Sequence, residues 1–143
     1  LWAVAKKLGV LNRLSLIAEL EGRRDLLVHG DLLIQPDALG EQRSILLEAM
    51  AAGMIVVAAK DPMVSALIDG KTARLVDRPD PAAWRETIAS VLNDRAAGRV
   101  LAQGAGQFVR SNRLASMQIR QVLAIYEWMI AKQAIPLAPA GRR

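Results

Sequence analysis

The chain has 143 residues, of which 52% are hydrophobic and 23% charged, with a formal charge of +5. That is enough for one domain with a real core, too little for two of ordinary size, and too apolar for a disordered chain. The absence of cysteine removes disulfides, thiolate zinc sites and cysteine nucleophiles, and the single histidine, His29, cannot build a multi-histidine metal centre.

No apolar run approaches the ~20 residues that cross a bilayer. The positive charge permits an anionic partner such as a nucleotide, a nucleic acid or a membrane surface. The basic residues are scattered, however, and the tightest clusters, Arg23-Arg24 and Arg142-Arg143, are only pairs. With aromatics at 3%, the basic stripe with interleaved aromatics that marks a nucleic-acid module is missing. The opening "LWAVAKKLGV" reads like the middle of a domain, so the expectation is a part of a longer protein.

In chain order, the pattern predicts a helix over residues 2–8 that stops at Gly9, a short strand in "RLSLI" at 13–17, and a short helix in "ELEGRRDLL" ending near His29 and Gly30. "LLIQ" at 32–35 is an apolar strand closed by Pro36. The next helix starts at Gln42 or Ser44, with Ser44 or Asp37 as its polar cap, and leaves through Gly53. "MIVVAA" is apolar without alternation, as in a parallel strand covered on both faces. After Asp61-Pro62, residues 63–68 allow at most two helical turns, and "ARLV" at 73–76 returns as a short edge strand. Asp80 caps and Pro81 opens a helix with Trp84, Ile88, Val91 and Leu92 on one face. A second helix at 96–109 carries Leu101, Ala105, Phe108 and Val109 despite Gly98, Gly104 and Gly106. A third, at 114–132, has Ile119, Val122, Tyr126, Met129 and Ile130 as its stripe. The expected fold is α/β: a three-layer, Rossmann-like parallel sheet with C-terminal helices, spanning residues 1–132, followed by a loose tail at 133–143.

In such sheets ligands gather at the carboxyl ends of the strands, where loops lead into helix N-termini. Three segments qualify: 36–43, 59–64 and 77–80. The first leads into a helix that carries a lone carboxylate, Glu48, among Leu46, Leu47, Ala49 and Met50. A carboxylate in such surroundings requires donors. Either Glu48 faces solvent or pairs with an arginine such as Arg43, or it accepts hydroxyls of a ligand whose anionic group lies on the free amides at the start of its helix.

The order "HGDLLIQPD", "EAMAAG", "MIVVAA" and "LIDGKTARLVDRPDP" resembles the C-terminal, donor-binding domain of retaining glycosyltransferases of the GT-B fold, in particular family four. That resemblance, over roughly residues 8–129, implies a donor-binding portion that transfers a hexose from a UDP- or GDP-sugar to a glycan or lipid acceptor, without a separate cofactor. It implies that Glu48 receives the ribose hydroxyls and that Arg43, Ser44 and Ile45, with Gly40, approach the diphosphate. Family members place a first glutamate near the transferred sugar, eight residues before the second. Here that position is Gly40, and Glu41, displaced by one, is the candidate catalytic carboxylate if the loop slips by a residue. Asp61-Pro62 replaces a glycine pair, Ser65 a glutamate and Ala73 a glycine, and Asp61 is either a ligand contact or a turn residue. The implied partners are the sugar nucleotide and an acceptor domain, or another chain, that covers the open sheet edge; nucleic acid is not among them. The implied location is cytoplasmic, free or at the inner face of the membrane. The alternative is a catalytically inactive relative that binds a nucleotide or a partner protein, and in either case this chain alone is expected to be catalytically silent.

Other polar residues carry less. His29 has no partner fixed by spacing and reads as a surface histidine, Asp31 as the start of a strand, Lys60 as a second source of positive charge near the cleft, and Trp84 and Tyr126 as core. No phosphate-loop glycine motif, EF-hand or nucleophile elbow is present.

Overall fold

The computed structural model describes residues 1–15, 17, 26–40, 43–77 and 80–133. Helix α1, Trp2–Lys7, closes at Leu8 and leaves through Gly9. The strand expected at 13–17 does not form among the described residues of that segment: Leu11–Arg13 is a 3-10 turn, and Leu14, Ser15 and Ile17 are irregular. A β-compatible composition makes no strand without a neighbour to pair with. Residues 26–29 are helical, with Leu27 buried and His29 exposed, whereas most of the expected helix before them lies outside the described residues.

The sheet holds three parallel strands in the order β1, Leu32–Gln35; β2, Ile55–Ala59; β3, Arg74–Val76. Leu33 pairs with Val56 and Ala58 with Leu75, so the apolar runs stack in register. Helix α2, Ser44–Ala51, is the crossover between β1 and β2, as the spacing predicts, and Gly53, at φ 82°, gives the left-handed exit. Its N-cap is Arg43, in extended conformation, and no side chain caps it, so neither Ser44 nor Asp37 plays that part.

Alternate residues of β2 feed opposite faces, which is why the strand shows no polar alternation. Val56 and Ala58 pack with Leu46 and Met50 of α2 and with Ala105 and Val109 of α4, Arg95–Asn112. Val57 packs with Val76 and with Val91 of α3, Pro81–Asn93, while Trp84 and Ile88 lie against that cluster. The result is helix, sheet, helix: the three-layer α/β arrangement. Helices α3 and α4 are capped by Asp80 and Asp94, whose carboxylates accept from the second and third helical amides. Glycines within α4 serve close approach: a Cβ on Gly104 would run into the Lys71 carbonyl oxygen, and one on Gly98 would lie 2.7 Å from Cδ1 of Ile55.

Three further expectations need correction. Residues 63–68 form turns rather than helix, held by Thr72, whose hydroxyl donates to the Ala66 carbonyl at 2.6 Å and accepts from the Ile68 amide at 2.9 Å. Leu92 is 53% exposed because it lies at the rim of its stripe, about 100° past buried Val91. The stripe of α5, Ala115–Gln133, is exposed throughout, including Ile119, Val122, Tyr126, Met129 and Ile130. The expected tail lies outside the described residues except for Gln133, the last residue of α5. Among the described residues no strand pairs with the outer edge of β1, and no helix is long and apolar enough to cross a membrane.

Candidate functional site

All three predicted loops meet at the carboxyl ends of the strands. A cavity of about 380 Å³ is lined by Pro36, Asp37, Ala38 and Leu39 after β1, by Ala59 and Lys60 after β2, by Val76 and Asp77 after β3, and by Trp84 from the first turn of α3. Lys60 bridges two of the loops: its amide donates to the Val76 carbonyl at 3.0 Å, and its ammonium lies 2.8 Å from the Asp77 carboxylate. The hydrogen bond to Asp77, reinforced by that residue's charge, raises the Lys60 pKa above its ordinary 10.5. Both side chains are more than half exposed, so this pair shapes the rim electrostatically and adds little stability.

The buried carboxylate of the edge is Asp61, 5% exposed. One carboxylate oxygen accepts the Gly40 amide at 2.7 Å and the other the Met63 amide at 3.0 Å. Burying a carboxylate is costly unless donors replace water, and two backbone amides do so here. The turn role foreseen for Asp61 is present, and with it a long-range tie to the loop after β1 that sequence reasoning missed. Gly40, at φ 69°, occupies the left-handed region that a side chain disfavours.

Beyond Gly40 the chain enters α2. Arg43 is its exposed N-cap, Ser44 and Ile45 are its first residues, and their amides point back toward the strand ends, as at every helix start. Glu48 is half-buried one turn further on, four residues after Ser44 and on the same side of the helix. Leu46, Ala49 and Met50, on the other side, are fully buried against the sheet, which fixes the helix beneath these groups. The structure thus brings Gly40 and Asp61 into contact and sets Arg43, Ser44, Ile45 and Glu48 along the first turns of the adjoining helix. Glu41 lies outside the described residues.

Other candidates fall elsewhere. His29 and Asp31 stand at the opposite, amino end of the sheet, where the Asp31 carbonyl accepts the Ile55 amide. Ser65 accepts a hydrogen bond from Arg113 at 2.5 Å. Trp84 is core on one side, as expected, and cavity wall on the other; its place just after the third loop was the available signal. Among the described residues no group of histidine and carboxylate side chains could hold a metal ion.

The model of the family "Glycosyl transferases group 1" matches residues 3–107. No curated protein matches the chain. Among solved structures, sucrose-phosphate synthase from Thermosynechococcus elongatus superposes with a TM-score of 0.81 at 20% identity, covering 91% of this chain and 33% of that one. HepE from Anabaena, solved in complex with UDP, gives 0.68 at 23% identity over 87% of this chain and 35% of its own. The C-terminal domain of LpcC, a glycosyl transferase group 1 family protein of Francisella tularensis, gives 0.66 at 18% identity over 79% and 60%. At these identities the superpositions establish a shared GT-B-type, Rossmann-like architecture, and the chain spans between a third and three fifths of the length of these structures. The match over most of the sequence, on a parallel sheet whose loops converge at one edge, makes this chain a member of the glycosyl transferases group 1 family.

Proposed function

We propose that this chain is the donor-binding portion of a retaining glycosyltransferase of family four, acting on a UDP- or GDP-hexose. Residues 1–132 form the partial nucleotide-sugar-binding unit in this reading. The observation that carries it is the convergence of three loops on one cavity beside the uncapped start of α2, with Glu48 one turn inside. Helix-start amides suit a diphosphate, and Arg43 adds planar donors. Glu48 accepts the ribose hydroxyls by charge-assisted hydrogen bonds, and the UDP bound by HepE makes uridine the first nucleotide to try. Glu41 is the proposed carboxylate at the transferred sugar. Transfer to a glycan or lipid also requires an acceptor-binding part, supplied by a further domain or another chain that covers the free edge of β1.

A second reading has a specific observation in its favour. Gly40 occupies the position of the family's first glutamate and its amide is engaged by Asp61, an arrangement suited to a relative that binds nucleotide without turnover. The deciding experiment measures hydrolysis and transfer from UDP- and GDP-sugars by the full-length protein, with Glu41→Ala and Glu48→Ala beside it. Loss of turnover at Glu41→Ala with nucleotide affinity intact supports the enzyme. Nucleotide binding that falls only in Glu48→Ala, with no turnover in the wild type, supports the inactive relative. No binding and no turnover in the wild type removes both.

A further inference from the structure

Asp61 is not where a ligand contact is easily made, since both carboxylate oxygens already face backbone amides and the residue is 5% exposed. Nor is it merely a local turn residue, because one of its partners, Gly40, is 21 positions away on a different loop. Its immediate cationic neighbour in sequence, Lys60, is turned to Asp77. The Asp61 charge is therefore met by two amides, and their common effect is to tie the loop after β1 to the turn after β2.

The frame on either side of that loop is fixed. Helix α2 is anchored from Leu46 onward by residues buried against the sheet, and β1 is held by its ladder to Ala58. Between these fixed points residues 36–40 are exposed, and Gly40 itself adopts a left-handed turn that glycine makes accessible without enforcing. A Cβ at Gly40 would stand 3.8 Å from Cγ of Met63, so the two loops lie side by side at this point. The tie from Asp61 is a directional contact between them.

On these grounds we propose that Asp61 is a positioning residue: by pinning the Gly40 turn to the end of β2 it sets the place of the Gly40 amide and of the loop after β1 at the carboxyl edge, where an anionic donor group is received. The proposal rests on the nucleotide-binding reading above. It assigns Asp61 no direct contact with the ligand, in contrast to the alternative drawn from sequence. It also predicts an unusual sign. A carboxylate beside a diphosphate site repels the ligand if its charge acts directly, so its removal strengthens binding; if it acts by holding the loop, its removal weakens binding.

The test uses isotope-labelled protein as wild type, Asp61→Ala and Asp61→Asn, with amide hydrogen exchange and UDP calorimetry on the same samples. Without ligand, Asp61→Ala is expected to speed exchange at Gly40 by about tenfold or more, while Val56 and Val57 in β2 stay within about twofold. Asp61→Asn, which keeps one carbonyl acceptor for Gly40, is expected to restore much of that protection. UDP affinity is expected to fall about tenfold in the alanine variant and to recover in the asparagine variant. Unchanged Gly40 exchange in Asp61→Ala overturns the pin. Lost protection with equal or tighter UDP binding overturns the positioning role. If wild type binds no UDP, the nucleotide reading fails and the positioning role fails with it, while the exchange data still decide whether the pin exists. Should Asp61→Ala fail to fold, Asp61→Ser carries both readouts: its shorter side chain still serves the nearby Met63 amide but does not reach Gly40, so Gly40 exchange and UDP affinity identical to wild type overturn the proposal.

Discussion

Helices α4 and α5 are nearly equal in length, 18 and 19 residues, and follow one another in the chain, yet one is core and the other is surface. Along α4 the inward residues are Gly98, Leu101, Ala102, Ala105, Gly106 and Val109, mostly small, and the backbone settles close to Ile55, Lys71 and Met50. The α5 stripe is built of Ile119, Val122, Tyr126, Met129 and Ile130, all at least 43% exposed. Small residues let a helix lie down on a surface that already exists within the chain. A stripe of large apolar residues left in water is the mark of a surface awaiting a partner. The family match supports the same division, since it ends at residue 107, within α4, and α5 lies beyond it.

Substitutions on the two helices are expected to differ in the same way. Leu101→Ala, at a position 6% exposed on α4, is expected to cost about 2–5 kcal/mol in urea denaturation. A loss below about 1 kcal/mol would mean that α4 is not the seal of that face. Gly104→Ala exchanges a better helix former for a clash with the Lys71 carbonyl, and the clash should win by about 1–3 kcal/mol. A rise in melting temperature for this variant would contradict the close approach. Removing the cap with Asp94→Ala should cost about 0.5–2 kcal/mol, seen as an earlier thermal transition. The smallest effect belongs to α5: Ile119→Ser should change the stability of this chain by no more than about 0.5 kcal/mol. If it costs as much as Leu101→Ala, the α5 stripe is already covered, for instance by self-association, which light scattering would reveal.

How much of this was legible in the sequence depended on the range of the interactions. The two strands flanking α2, their parallel pairing and the meeting of the three loops at the carboxyl edge follow from apolar runs, a glycine exit and short connections, all local signals. The caps at Asp80 and the edge strand at Arg74–Val76 were equally local. The failures are of another kind. The segment at 13–17 has strand composition, yet among the described residues no strand pairs with it, and the α5 stripe has core periodicity while its residues stay exposed. Helical spacing marks a face as apolar; it does not say whether the covering surface belongs to the same chain. At the site, the residues at the start of α2 could be placed from spacing, whereas the bond from Gly40 to Asp61 depends on two loop conformations 21 residues apart. Trp84 shows the intermediate case, assigned to the core by period and found to line the cavity as well, because a helix's first turn faces both.

The central claim is that the carboxyl edge of the sheet beside α2 is a nucleotide site. Its most direct test is titration of UDP into isotope-labelled protein while following backbone amide resonances. The account predicts shifts concentrated at Gly40, Arg43, Ser44, Ile45 and Glu48, weakened about ten- to a hundredfold in apparent affinity by Glu48→Ala through the loss of a charged acceptor. Shifts confined to the amino edge around Gly30, Asp31 and Ala73, or affinity unchanged by Glu48→Ala, would contradict it.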